Sequence, residues 1–167
     1  MPQIKRAVVL LILSAAAALG CSRTGSFAQP TSTGTGPPIV FGTGTACQPK
    51  VVLFFYNNAT TDGGLATAAF GFGAVASTSQ RMSGFSRSTD AVGTSDSDRA
   101  LSQTKAIVII STTPAIVASA DLVTLDLDGF TLTWDVADAT ARIINYLALG
   151  GSEVTNVEVG SYTSSGS

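Results

Sequence analysis

Hydrophobic positions in this chain fall into short runs separated by Gly, Asn, Asp and Ser clusters, a spacing that predicts strands rather than helices. Residues 50–56 (KVVLFFY) are apolar almost throughout, which predicts a central strand covered on both faces. A polar turn follows at 57–64 (NNATTDGG). Residues 66–77 place Phe70 and Phe72 on one face at period two, and 80–88, with Met82 and Phe85, predict another strand. Residues 89–102 read as a polar loop. Residues 105–110 (KAIVII) predict a second buried strand, broken at 111–114, and 116–127 continue extended. Asp128-Gly129 is a hairpin signal, because Gly supplies the positive φ that tight turns need. Phe130, Leu132 and Trp134 then alternate with Thr131 and Thr133, the pattern of a half-buried strand. Residues 141–149 (ARIINYLAL) have a helix-compatible composition, but their β-branched and aromatic content predicts a strand. That strand sets Ala141, Ile143, Asn145, Leu147 and Leu149 against Arg142, Ile144, Tyr146 and Ala148. A last short strand is expected within 154–162. Roughly seven to nine strands without a helix predict an all-β, antiparallel β-sandwich or jelly-roll-like single domain over residues 39–163, followed by a disordered tail at 164–167.

The N-terminus has a different pattern. Residues 1–20 carry Lys5 and Arg6, then an apolar run at 7–13, then small residues, the layout of a signal peptide. Ala18-Leu19-Gly20-Cys21 resembles a bacterial lipobox, which implies a lipid on Cys21 and a membrane anchor, with Ser22 compatible with the outer membrane. Ordinary cleavage after Ser26-Phe27-Ala28, giving a soluble secreted protein, and an uncleaved anchor are the alternatives. Residues 21–38, rich in Ser, Thr, Gly and Pro, predict a flexible linker. If Cys21 is lipidated, Cys47 is the only other thiol and no intramolecular disulfide forms; if Cys21 is unmodified, a 21–47 bridge stays open. Cys47 otherwise reads as a small buried hydrophobe.

Composition narrows the chemistry. The chain of 167 residues is 45% hydrophobic and 12% charged, with formal net charge −2. From Cys21 onward there are 7 basic and 11 acidic residues, a net of 7 − 11 = −4. Such a chain offers no basic surface for a phosphate backbone, so nucleic acid is not an expected partner. The absence of histidine removes Ser-His-Asp and Cys-His catalysis and His-ligated zinc.

Asp121, Asp126 and Asp128 precede Gly129, and oxygen-rich loops of that kind bind Ca²⁺; turn chemistry is the competing reading, since the twelfth position of an EF-hand-like loop is Ala137 rather than Glu. Asp96 and Asp98 read as a solvated loop. Asp135 and Asp138 form a carboxylate pair of the kind that cleaves glycosides, though turn chemistry explains them. Trp134, Tyr146 and Tyr56 are the candidates for stacking on a sugar ring, against core packing. Asn58-Ala59-Thr60 is a glycosylation sequon without consequence behind a bacterial-type leader. Gly42-Thr43-Gly44 lacks the third glycine of a dinucleotide fingerprint.

Residues 48–55 (QPKVVLFF), 128–134 (DGFTLTW) and 139–151 (ATARIINYLALGG) together resemble β-rich modules of bacteriophage structural proteins, of tail-fibre or virion-surface type. The resemblance spans about residues 41–162 and implies a β-rich structural unit. In such arrays a segment like 157–162 opens the next unit, which implies a C-terminal strand that completes a sheet here or in a neighbouring subunit. Residues 128–134 with 146–148 are similar to a strand pair of H-type lectins, which implies sugar binding. The expectation is a non-enzymatic structural or adhesive β-sandwich, exported, at the outer membrane or cell surface or secreted, without an obligatory cofactor. It would associate with itself as a homo-oligomer or attach to a surface glycan or protein. A virion decoration or fibre component and a carbohydrate-binding module are the alternatives.

Overall fold

The computed structural model describes residues 20–42, 44, 46–65, 67–89 and 96–161. Residues 1–19, which hold most of the expected signal peptide, Thr43 and the expected tail 164–167 lie outside the described residues.

Period-two burial builds two antiparallel sheets, as the alternation predicted. One sheet has six strands in the order β1 (Cys21–Ala28), β11 (Ile143–Gly150), β4 (Pro49–Tyr56), β5 (Ala68–Val75), β6 (Arg81–Thr89) and β7 (Asp96–Ser102). The other contains β8 (Ile107–Ile110), β9 (Ile116–Asp126) and β10 (Gly129–Val136), with β2 (Gly34–Thr35) and β3 (Ile39–Val40) both pairing with β10. The sheets stack face to face as a β-sandwich, so each contributes one set of alternating side chains to a shared core. Val52, Phe54 and Tyr56 alternate inward from β4, and Ile144, Tyr146 and Ala148 from β11. Phe130, Leu132 and Trp134 face them from β10. Residues 107–110 of β8 are buried on both faces, which explains the unbroken apolar run. Phe130 is the hub: its ring meets Phe54, Tyr146, Phe27 and Phe41 at centroid distances of 5.5, 5.3, 6.1 and 6.0 Å. Full burial of the Phe130 or Phe54 ring contributes about 1.5–3 kcal/mol relative to leaving it exposed.

Four expectations are corrected. First, residues 21–38 are not a flexible linker throughout. Residues 21–28 pair with β11 over their whole length, from Cys21 opposite Gly150 to Ala28 opposite Ile143. The chain then crosses to the other sheet and lays β2 and β3 along β10. Pro37 and Pro38, which cannot donate to a ladder, separate these two short strands at the sheet edge. Second, β4 is not covered on both faces along its whole length: on its outer face Val51 is buried and Leu53 half-buried, but Phe55 is exposed. Third, half of the expected loop 89–102 is the edge strand β7. Its alternating polar sequence hides it, since an edge strand needs only one partner. Fourth, the described residues 154–161 form no strand. Gly129 begins β10, and it is required by close approach: a Cβ there would collide with the Ile39 carbonyl.

Candidate functional site

Two features distinguish this sandwich from a plain pair of sheets. One is the N-terminal strap formed by residues 20–42, which closes the open side where β11 and β10 would otherwise be edges. The inward positions of β1 are Cys21, Arg23, Gly25 and Phe27. Gly25 leaves room for the Tyr146 ring, whose hydroxyl would lie 2.5 Å from a Cβ at that position. Phe27 sits edge-on to Phe130, and Phe41 contacts both Phe130 and Tyr146. Cys21 is disulfide-bonded to Cys47, 26 residues away, so the start of the strap is tied to the segment entering β4. The Cys47 amide donates to Asp128 Oδ1 at 3.1 Å, which binds that segment to the β9–β10 turn.

Where the strap leaves the six-stranded sheet it is held by a buried polar knot. Arg142 forms a bidentate pair with Asp138, at 2.7 and 2.9 Å, and donates to Gln29 Oε1 at 3.1 Å. Gln29 donates its side-chain amide to Asp138 Oδ1 at 3.0 Å and its backbone N–H to the Arg142 carbonyl at 2.8 Å. The Arg142 guanidinium holds the Asp138 carboxyl below the usual carboxylate range, with Thr140 N–H and Gln29 assisting, while burial opposes them. Between strap and sheet lies a largely apolar cavity of about 400 Å³ lined in part by Phe27, Pro37, Pro38, Leu132 and Trp134.

The second feature is the outer face of the six-stranded sheet. Phe55 is 41% exposed, Phe70 58%, Phe72 37% and Leu101 66%, on the faces of β4, β5 and β7 that point away from the second sheet. Phe55 is directly opposite Phe72, Phe72 opposite Gly84, and Gly84 opposite Leu101. The Phe72 ring lies against Gly84, at a distance a Cβ there would close to 3.0 Å. An apolar ridge therefore crosses four strands, flanked by the half-buried Leu53, Ala74, Met82 and Leu147.

The residues singled out from sequence have other positions. Cys21, expected to carry a lipid, has its sulfur engaged in the bridge to Cys47, and a sulfur so bonded has no valence left for an acyl-bearing thioether. Cys47 is buried as expected, but as half of that bridge. Asp121, Asp126 and Asp128 do not converge into a Ca²⁺ site; among the described residues no cluster of three potential ligands forms. Asp121 is paired with Arg81 at 2.7 Å and Lys105 at 3.0 Å, Asp126 accepts from the Thr131 hydroxyl at 2.8 Å, and Asp128 accepts from Cys47 N–H. Lys105 also pairs with Asp135 at 2.8 Å, so Arg81, Asp121, Lys105 and Asp135 form a charge chain joining β6 to β9 and β10. The Asp135 carboxylate raises the Lys105 ammonium above its ordinary value, with Asp121 adding to the effect and burial opposing it. Asp135 and Asp138 thus belong to two separate ion-pair groups.

Trp134, Tyr146 and Tyr56 are all core residues rather than stacking platforms, at 3%, 7% and 3% exposure. Tyr56 Oη accepts from Val108 N–H at 3.1 Å and lies 3.0 Å from the Val108 carbonyl. Burial pushes this phenol far above its usual value, against a smaller opposite effect of the Val108 backbone bond. Burial, with a smaller contribution from Asp128, likewise raises Tyr146. Strands 128–134 and 146–148, similar to a lectin strand pair, lie in different sheets.

Among the described residues the exposed large aromatics are thus Phe55, Phe70 and Phe72, not Trp134, Tyr146 or Tyr56. The sequence signal for Phe70 and Phe72 was their shared face; for Phe55 it was masked by the apolar run. No protein-family model, curated protein or solved structure matches the chain.

Proposed function

We propose that this chain is an exported, non-enzymatic β-sandwich that works by surface contact, as a structural or adhesive protein that associates with itself or attaches to a ligand at a cell surface. The observation that supports this reading is the apolar ridge on the outer face of the six-stranded sheet. Contiguous exposed apolar surface on a folded protein marks an interaction site, because water is expelled from it on contact. The disulfide fits an oxidising compartment, and the signal-like layout of residues 1–20 fits delivery there. With Cys21 in the bridge, the soluble secreted form is the reading preferred over the lipid anchor.

The test is expression of the full chain with its own leader, followed by fractionation and light scattering of the exported product. Recovery outside the cytoplasm, together with assembly or retention on the cell surface, is expected. Cytoplasmic retention with two free thiols, or an exported strict monomer that binds no surface, overturns the reading.

A further inference from the structure

Resting on that reading, we infer that the outer face of the six-stranded sheet is a two-fold interface with a second copy of this chain, packed sheet against sheet. The size of the face supports this occupant. Six strands at about 4.8 Å spacing span about 29 Å, and strands of seven to nine residues at about 3.3 Å per residue span about 25 Å. The face therefore offers roughly 700 Å² per partner, close to the roughly 800 Å² that a stable protein–protein interface takes from each side.

Its composition supports the same occupant. Among the described residues, the outward positions of the six strands carry Arg99 on β7, with the exposed Lys50 at the bulged start of β4. A face with so few charges meets its own copy without the desolvation of many ions. Phe55 and Phe72, on the two central strands, supply large apolar anchors near the middle of the sheet, where the energy of an interface concentrates, and Leu101 carries the ridge out to the edge strand β7. The two-fold operation sets ridge across ridge. A glycan would find Asn145 opposite Phe55 and Ser86 and Arg99 along one flank of the ridge, but the other flank is Leu147, Leu53, Ala74 and Met82, which offers its hydroxyls no side-chain partners.

The experiment uses the exported full chain in sedimentation velocity across a concentration series. The variants are Phe55→Glu and Leu101→Glu, singly and together, with Leu127→Glu as a control. Leu127 is 72% exposed at the β9–β10 turn, remote from the ridge. Phe55→Ser with Phe70→Ser is the milder second pair, and circular dichroism checks that each variant folds. A wild-type dimer whose Kd rises roughly a hundredfold or more in the ridge variants and is unchanged in the control supports the inference. An assembly that ignores the ridge variants overturns the inference and leaves the surface-contact reading intact. A monomeric wild type overturns it too, and the retention assay above then decides the reading. Glycan-array binding by a monomer, lost in the Phe55 variants, replaces the second copy with a sugar.

Discussion

Cutting the Cys21–Cys47 bridge should cost the fold a defined amount. The cross-link closes a loop of 26 residues, and the chain-entropy relation for a loop of that length gives about 3.5 kcal/mol at 25 °C. For a domain of this size each kcal/mol shifts Tm by roughly 2–4 °C, so the expected drop is roughly 7–14 °C. Cys21→Ala, Cys47→Ala and the double variant all remove the same cross-link. The three should therefore melt together, with the double variant no worse than the singles, because the two residues act as one unit. Differential scanning calorimetry with and without reductant measures the shift. Alkylation of the unreduced, denatured protein followed by intact mass should add nothing to either cysteine. A Tm indifferent to reductant, or alkylation of Cys47 before reduction, refutes the reasoning. A lipid on Cys21 gives a different signature: Cys21→Ala releases the protein from membranes, while Cys47→Ala leaves its melting close to wild type.

Three further outcomes follow from the packing. Gly25→Ala brings a methyl against the Tyr146 ring and should destabilise by about 1–3 kcal/mol in urea unfolding; adding Tyr146→Phe, which removes the nearest atom, should recover part of the loss, and no recovery refutes the contact. Tyr56→Phe leaves the Val108 N–H without its buried acceptor and should cost about 1–3 kcal/mol; an unchanged urea midpoint counts against it. Asp138 has a folded value below its unfolded one, so its stabilisation is complete above the unfolded carboxylate range and is lost as pH falls through the folded value. The Tm gap between wild type and Asp138→Asn should be open at neutral pH and close below about pH 4; a gap constant with pH shows that the charge does not matter.

The strands that fill the core were legible because burial on one face leaves a period-two trace. Residues 130–134 and 143–149 carry it, residues 107–110 show instead as an unbroken apolar run because both faces are covered, and the Asp128-Gly129 signal marks the hairpin between β9 and β10. The strap was not legible. The inward positions of β1 are a half-cystine, an arginine, a glycine and one phenylalanine, so its burial comes from a covalent bond, a vacated volume and a single ring rather than from a hydrophobic series. The bridge itself depends on β1 lying beside β11, a pairing across more than a hundred residues that local pattern does not encode. The outer ridge was half legible. Phe70 and Phe72 shared a face in the sequence, but which face looks at solvent is decided only when the second sheet covers the other one. The aspartates were ambiguous because turn formation, ion pairing and metal ligation all draw on the same side chain, and the cations that claim Asp121 come from elsewhere in the chain.

The first long strand and the last one are hydrogen-bonded neighbours, Cys21 facing Gly150. During synthesis, residues 21–28 leave the ribosome long before their ladder partner exists, so the sheet cannot be finished until the final strand is made. Nearly the whole chain must close as one loop, which makes folding a late and slow event. Both cysteines, by contrast, lie in the first third of the chain. A bridge formed early would hold the strap in a hoop into which the remaining strands can later settle.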